Sequence, residues 1–235
     1  YIKDPCPPMV IDLAGPHLLE RYFWKSPRPE ADRAAKVDAL ARADFVTCSG
    51  RWQRHYFLPF LQWAGWDLTA SQLCPVIPFS FFPCAGGEET RRDLTAFTHG
   101  GMFLPWQDPE QGLTVLLETL VDKERGILHV YGGPHPAGDV SGGRGAAFRR
   151  TLSAHDRVVS HGLAPFDRLS SDYRRYGVAL DALAHNWERE LAFTSRTVLY
   201  LAHGLPVIYN NYSELSALIA EYDAGWLVSP EDRAG

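Results

Sequence analysis

Residues 185–210, HNWERELAFTSRTVLYLAHGLPVIYN, decide the fold. A polar loop leads to Thr194, a good N-cap residue, and a short helix follows. Gly204 then supplies a left-handed stop before Pro206-Val207-Ile208-Tyr209 enters a strand. Val198, Leu201, Ala202 and Leu205 form the expected buried stripe of the helix. In an open α/β sheet, ligands sit beyond the carboxyl ends of the strands. The loop carrying Asn186, Glu188 and Glu190 is therefore expected to face a ligand, with the glutamates offering acceptors for hydroxyls.

The chemistry of the helix start sharpens that expectation. The first amides of a helix have no internal partner, and the helix dipole favours negative charge there. Ser195 and Arg196 follow Thr194, and a guanidinium engages two phosphate oxygens at once, so a phosphate or diphosphate suits this place better than a lone carboxylate. A second reading stays open, in which Arg196 is a solvated arginine and the glutamates simply complement the dipole.

Outward from this stretch, strand and helix alternate regularly. Strands are expected at residues 94–99, 126–131, 157–160, 178–183, 206–209 and 225–228, with helices at 109–123, 146–154, 165–176 and 213–222. Six such strands predict a parallel, doubly wound, Rossmann-like sheet with right-handed crossovers. Upstream, residues 9–15 and 44–49 are strands, while 17–24, 30–43 and 51–64 are helices. The second of these has Ala34, Val37, Leu40 and Ala41 on one face, and Pro59 is expected to bend the third. This β-α-β-α run lacks the strands of a complete sheet and is expected to be the end of a truncated second Rossmann-like domain. Residues 75–83, PVIPFSFFP, form a proline-rich connector. The expected division is a first domain over 1–77, a linker over 78–92 and a second domain over 93–235, itself truncated at its end; an exposed loop within one domain is the alternative.

Two further strand ends carry glycine. Thr98-His99-Gly100-Gly101 ends the first strand of the larger domain, where glycine permits close backbone approach to a phosphate or sugar. Asp108 and Pro109 also fit the N-cap and first position of the next helix. The first of these is not the full GxGxxG fingerprint, and the second strand, which ends in Gly132-Gly133-Pro134-His135-Pro136, offers no acid at its end to hold a ribose. A nicotinamide-dinucleotide site is disfavoured. No Gly-x-Ser-x-Gly elbow supports hydrolase chemistry, and no Asp-x-Asp pair offers a metal site.

Composition sets the outer bounds. The chain has 235 residues, 46% of them hydrophobic and 22% charged, enough for a buried core. A net charge of -5 gives no electrostatic reason to expect nucleic acid. Cys6, Cys48, Cys74 and Cys84 show neither zinc spacing nor a disulfide framework, so a reducing, cytoplasmic setting is expected. No apolar run reaches the roughly 18 to 20 residues of a membrane span.

The run ERELAFTSRTVLYLAHGLPVI, followed by SELSALIAEYDAGWLVSP, resembles the donor-binding half of GT-B glycosyltransferases, in particular the retaining family-4-like group. Their pattern is an acidic loop, a basic residue opening a helix, an aromatic-Leu-Ala-x-Gly-x-Pro-Val run, and a Glu-containing helix before Gly-x-Leu-Val. Ile11-Asp12-Leu13, Pro16, Ala43-Asp44-Phe45, Ser49, Gln53, Tyr56 and Gly65 resemble the end of the family's N-terminal domain, with Pro59 replacing a small residue. The resemblance implies transfer of a sugar from a nucleotide-sugar donor to an acceptor glycan, lipid or small molecule, with retention and without metal or other cofactor. Glu188 and Arg196 would be catalytic, Arg196 stabilising the departing phosphate and Glu188 orienting donor hydroxyls. Gly100, Gly101, His135, Gly162, Glu190, Thr194 and Ser195 would bind the donor, with the base read by backbone amides near Gly162. The implied partners exclude nucleic acid and include peripheral membrane association through an absent N-terminal portion, without which the fragment is expected to be weakly active. Leu199 departs from the pattern, standing where many relatives carry an acid that contacts ribose. A GT-B sugar-nucleotide epimerase and a non-catalytic binding module are the alternatives.

Overall fold

Two short apolar runs near the start of the chain, β1 (Val10–Leu13) and β2 (Phe45–Cys48), pair in parallel with Val10 beside Phe45 and Leu13 beside Cys48. The connection is helical, as a parallel pair requires: α1 (His17–Phe23) and α2 (Pro29–Ala41) lie between the strands, and α3 (Arg51–Trp63) follows β2. Leu13, Leu40, Val46, Phe57 and Leu61 form the core of this unit, and the Trp66 indole donates to the Leu40 carbonyl at 2.9 Å. Of the apolar face expected on α2, only Leu40 is buried. The long Lys36 side chain covers neighbouring surface, its ammonium 4.7 Å from the centre of the Phe57 ring. Helix α3 continues through Pro59.

The computed structural model describes residues 7–81, 91–133, 135, 138 and 141–229. Cys6, Cys84, Pro134, Pro136, most of the expected 78–92 linker and the chain end from residue 230 fall outside them. The chain divides into two compact units, one running up to Phe79 and including Glu190–Phe193, the other made of Ser80–Arg189 and the residues from Thr194 onward.

The second unit holds six parallel strands: β3 (Asp93–Gly100), β4 (Ile127–Tyr131), β5 (Val158–Gly162), β6 (Tyr176–Asp181), β7 (Val207–Asn210) and β8 (Gly225–Val228). Their spatial order is β5-β4-β3-β6-β7-β8. The chain builds outward from β3 in one direction, then returns to β3 and builds outward in the other. With right-handed crossovers, that reversal places helices on both faces and opens a crevice between the carboxyl ends of β3 and β6. The helices are α4 (Glu110–Asp122), α5 (Arg144–Ser153), α6 (Phe166–Tyr173), α7 (Trp187–Leu191), α8 (Ser195–Ala202) and α9 (Glu214–Glu221).

Packing follows the apolar periodicity. Leu113, Leu116, Leu117 and Leu120 of α4 meet Leu128 and Val130 of β4, Leu152 of α5 and Leu180 of β6. Each fully buried leucine contributes on the order of 1.5–3 kcal/mol. Asp108 caps α4 by accepting the Glu110 amide at 3.0 Å, although the helix starts one residue later than the sequence suggests.

Two boundaries differ from the sequence reading. The sixth strand begins at Tyr176 and α6 ends at Tyr173, because the Asp93 amide donates to the Arg175 carbonyl at 2.8 Å and Arg92 spans the Tyr173 and Tyr176 carbonyls at 3.1 and 3.0 Å. That backbone is already committed to β3. The segment expected as a polar loop before α8 contains α7, capped by the Asn186 side-chain oxygen, which accepts the Arg189 amide at 3.1 Å. Among the described residues, no helix is long and apolar enough to cross a membrane.

Candidate functional site

At the crevice between β3 and β6, four of the residues marked in the sequence, Gly100, Gly101, Ser195 and Arg196, line one cavity. Strand β6 ends on Asp181, which is fully buried. Its carboxylate accepts Arg196 Nη1 at 3.0 Å and the Thr197 hydroxyl at 2.5 Å. Gln107 Oε1 accepts Arg196 Nη2 at 2.7 Å. Arg196 is therefore a preorganised guanidinium, with a side chain 13% exposed, rather than a solvated helix-start arginine. Two of its five N–H donors are used by these contacts.

Gly100 and Gly101 sit directly beside it. Gly101 has φ 142°, and a Cβ there would lie 2.9 Å from the guanidinium carbon of Arg196. A Cβ on Gly100 would meet the Tyr173 hydroxyl. Both amides are occupied, Gly100 N–H by the Tyr200 hydroxyl at 2.8 Å and Gly101 N–H by the Tyr131 carbonyl at 2.9 Å. The glycine pair thus makes room for Arg196 and two tyrosines, and its N–H groups are already bonded within the protein.

The start of α8 differs in detail from the expected cap. Thr194 occupies the N-cap position, but its hydroxyl is shared with Tyr209 at 2.8 Å and makes no capping bond. The first amides of the helix lack a side-chain acceptor, which leaves them for a ligand. Ser195 is exposed beside them. The buried face is Thr197 and Tyr200, one position away from the expected Val198, Leu201 and Ala202 stripe. Both hydroxyls reach polar partners at the sheet, Asp181 and Gly100, so their burial is compensated. Gly204 closes the helix with φ 64°, as its position implies.

The acidic residues before α8 face differently from expectation. Glu188 is 1% exposed and Arg189 6%, and both Glu188 carboxylate oxygens are engaged by Arg189. Glu188 therefore lies inside a buried ion pair. Glu190 is half-buried two residues on, on another side of α7, and belongs to the stretch grouped with the first unit. His135 is half-buried with its carbonyl accepting the Gly138 amide at 2.9 Å. Gly162 ends β5 with φ 66°, and its carbonyl accepts the Gly132 amide at 2.8 Å.

A cavity of about 270 Å³ opens at the crevice, lined by Gly100, Gly101, Leu163, Ser195, Arg196 and Leu199 among others. A wider one of about 750 Å³ runs past Gly133, Arg149, Arg150 and Gly162. His99, 1% exposed beneath the glycine pair, donates from Nδ1 to the Leu180 carbonyl at 2.9 Å. Burial first, and then the nearby Arg196 charge, lower its pKa to about 4, so it is neutral near pH 7. Among the described residues, no group of three or more His, Cys, Asp or Glu side chains could hold a metal ion.

Asp181, Gln107, Thr197, Tyr173, Tyr200 and Arg189 were not marked by the sequence. Asp181 had a signal, as the single acid within an otherwise apolar strand. Gln107, Thr197, Tyr173 and Tyr200 pair across many residues and left none, and Arg189 pairs with its own neighbour Glu188 in an inward orientation that the sequence does not show.

Comparison with solved structures shows the same fold. A UDP-forming α,α-trehalose-phosphate synthase from Burkholderia xenovorans superposes with TM-score 0.66 at 10% identity, over 97% of this chain and 58% of that one. A sucrose-phosphate synthase from Thermosynechococcus elongatus gives 0.63 at 20% identity, over 95% and 55%. The pneumococcal O-GlcNAc transferase GtfA, solved with UDP and GlcNAc, gives 0.58 at 18% identity, over 85% and 36%. The chain thus has the GT-B fold and spans between about a third and three-fifths of these proteins. No protein-family model and no curated protein matches the sequence.

Proposed function

We propose that, within the GT-B fold, this chain supplies the nucleotide-sugar site of a glycosyltransferase that moves a sugar from a nucleotide donor to a glycan, lipid or small-molecule acceptor. The observation that carries this reading is Arg196. Asp181 and Gln107 hold it over Gly101 at the sheet's switch point, on the first turn of a helix whose amides have no side-chain cap. As the glycosidic bond to the donor breaks, negative charge grows on the leaving diphosphate. A fixed guanidinium and aligned amides, aimed at that charge and partly shielded from water, stabilise it without reorganising.

Presentation of UDP in the pneumococcal structure of the same fold supports a nucleoside diphosphate as the ligand class. In this reading Ser195 and the α8 amides take the phosphates. Gly162 and its neighbours, at the end of β5, border the base. His135, on the loop after β4, is assigned to the donor by the resemblance alone. Glu188 acts from its ion pair with Arg189 to hold α7 in place, and donor hydroxyls meet other groups. In this reading Arg196 and the α8 amides meet the leaving charge, and the reaction is expected to be metal-independent. Free, buried Cys48 and Cys74 suit a reducing cytoplasmic setting.

Isothermal titration of the chain with UDP, GDP, ADP and their sugars tests the reading. One saturable site for a nucleoside diphosphate, unchanged by EDTA, supports it. Absence of binding by every member of the set would overturn it.

A further inference from the structure

Two cysteines meet in the core of the first unit. Cys48 ends β2, and Cys74 follows it 26 residues later in the chain. Both are free and buried, 0% and 1% exposed, in the same apolar cluster as Val46, Phe57 and Leu61. The backbone brings them together. The chain just after Cys74 runs parallel to β2, with the Cys48 amide donating to the Pro75 carbonyl at 3.2 Å and the Ile77 amide to the Cys48 carbonyl at 2.8 Å. Cys74 itself has φ 48°, in the left-handed region that few non-glycine residues occupy. Its carbonyl lies 4.0 Å from Cys48 Sγ, and the two thiols are hydrogen-bonded to each other. That contact, ahead of every other cause, lowers the pKa of Cys48 and raises that of Cys74, and the Arg54 charge adds to the lowering at Cys48.

Sulfurs already in contact close to the about 2.05 Å of a disulfide by side-chain rotation, and here the backbone on either side is already paired. We propose that Cys48 and Cys74 are a redox couple, in which a small-molecule disulfide such as glutathione disulfide closes a Cys48–Cys74 bond that locks residues 74–77 onto β2. The Cys48 thiolate attacks one sulfur of the oxidant, whose S–S bond breaks and releases one glutathione thiolate. The Cys74 thiolate then attacks the Cys48 sulfur of the mixed disulfide and expels the second glutathione. The two protein thiols lose two protons and two electrons, and one glutathione disulfide becomes two glutathione thiols. Because both sulfurs are buried, exchange proceeds through local opening of the segment, which sets its rate and not its equilibrium. The couple lies within the first unit and is independent of the nucleotide reading.

Equilibration of the chain in glutathione buffers of stepped thiol-to-disulfide ratio, with and without denaturing urea, is the test. Acid quenching, alkylation of the remaining thiols and peptide mass mapping give the oxidised fraction and the partners. The double variant Cys6→Ser with Cys84→Ser removes competing pairings. Circular dichroism checks its fold, and the parent chain mapped in the same way serves if that variant does not fold. The effective concentration of Cys48 and Cys74 towards each other is expected to be at least about tenfold higher in the folded chain than in urea. By the same thermodynamic cycle, the oxidised chain should unfold at a higher urea concentration than the reduced one. Equal effective concentrations with and without urea would overturn the proposal. So would an oxidised chain that unfolds at lower urea, or a folded parent chain in which Cys48 or Cys74 pairs with Cys6 or Cys84 instead.

Discussion

Replacing Arg196 by methionine removes a charge from two partnerships at once, and the structure separates their costs. Within the protein, Asp181 is fully buried and keeps only the Thr197 hydroxyl once Arg196 is gone. Breaking a buried pair by removing one partner costs about 3–5 kcal/mol, because the remaining charge is uncompensated. Converting that charge to an amide, in the double variant Arg196→Met with Asp181→Asn, removes most of the penalty. Towards a ligand, losing a charge-assisted contact to phosphate costs about 1.5–3 kcal/mol, a drop in affinity of roughly 10- to 150-fold. Urea denaturation followed by circular dichroism and titration with nucleoside diphosphates are the two assays. The single variant is expected to lose both stability and affinity, and the double variant to regain stability while affinity stays low. A double variant that is stable and binds normally would refute Arg196 as the phosphate contact. A single variant as stable as the parent would refute the buried pair.

Other consequences are separable. Tyr200→Phe deletes the hydroxyl that receives the buried Gly100 amide, and unfolding free energy should fall by about 1–3 kcal/mol in urea titrations. Gly101→Ala puts a methyl against the Arg196 guanidinium at a φ that disfavours side chains, so nucleotide affinity should fall together with stability. His99 titrates near 4 when folded against 6.5 when unfolded, so the unfolded chain binds more protons in that interval. Stability is then full above pH 6.5 and falls as the pH drops towards 4, by up to about 3 kcal/mol from this residue. His17, His129 and His161 are lowered in the same direction, chiefly by burial, and add to the slope. His99→Asn should flatten the stability profile across that window, and an unchanged profile would remove His99 as its source.

The six-strand alternation was legible because each strand is a short apolar run bounded by glycine, proline or polar residues, and period and punctuation are local properties. Arg196 and the glycine pair were legible for a similar reason, each standing at the junction of a strand or helix end. Orientation was not. Glu188 looks available in a polar sequence, yet Arg189 beside it absorbs both carboxylate oxygens and turns the pair inward. The buried face of α8 rotates by one position because Thr197 and Tyr200 find acceptors and donors on β6 and β3, which hydrophobicity along the helix does not encode. The start of β6 was misplaced because Tyr176 looks like the end of an aromatic helix until β3 pairs with it. For α8 and β6 a partner distant in sequence decides the outcome, and for Glu188 the direction in which the pair with its neighbour faces.

The most direct test of the account is where a nucleoside diphosphate lands. Amide chemical-shift mapping of the isotope-labelled chain, titrated with the nucleoside diphosphate that binds best, should move Gly100, Gly101 and residues 195–199 first, with smaller shifts near Gly162. Shifts confined elsewhere, such as along the groove formed by Gln111, Thr114 and Glu118 of α4, or no shifts at saturating nucleotide, would contradict it.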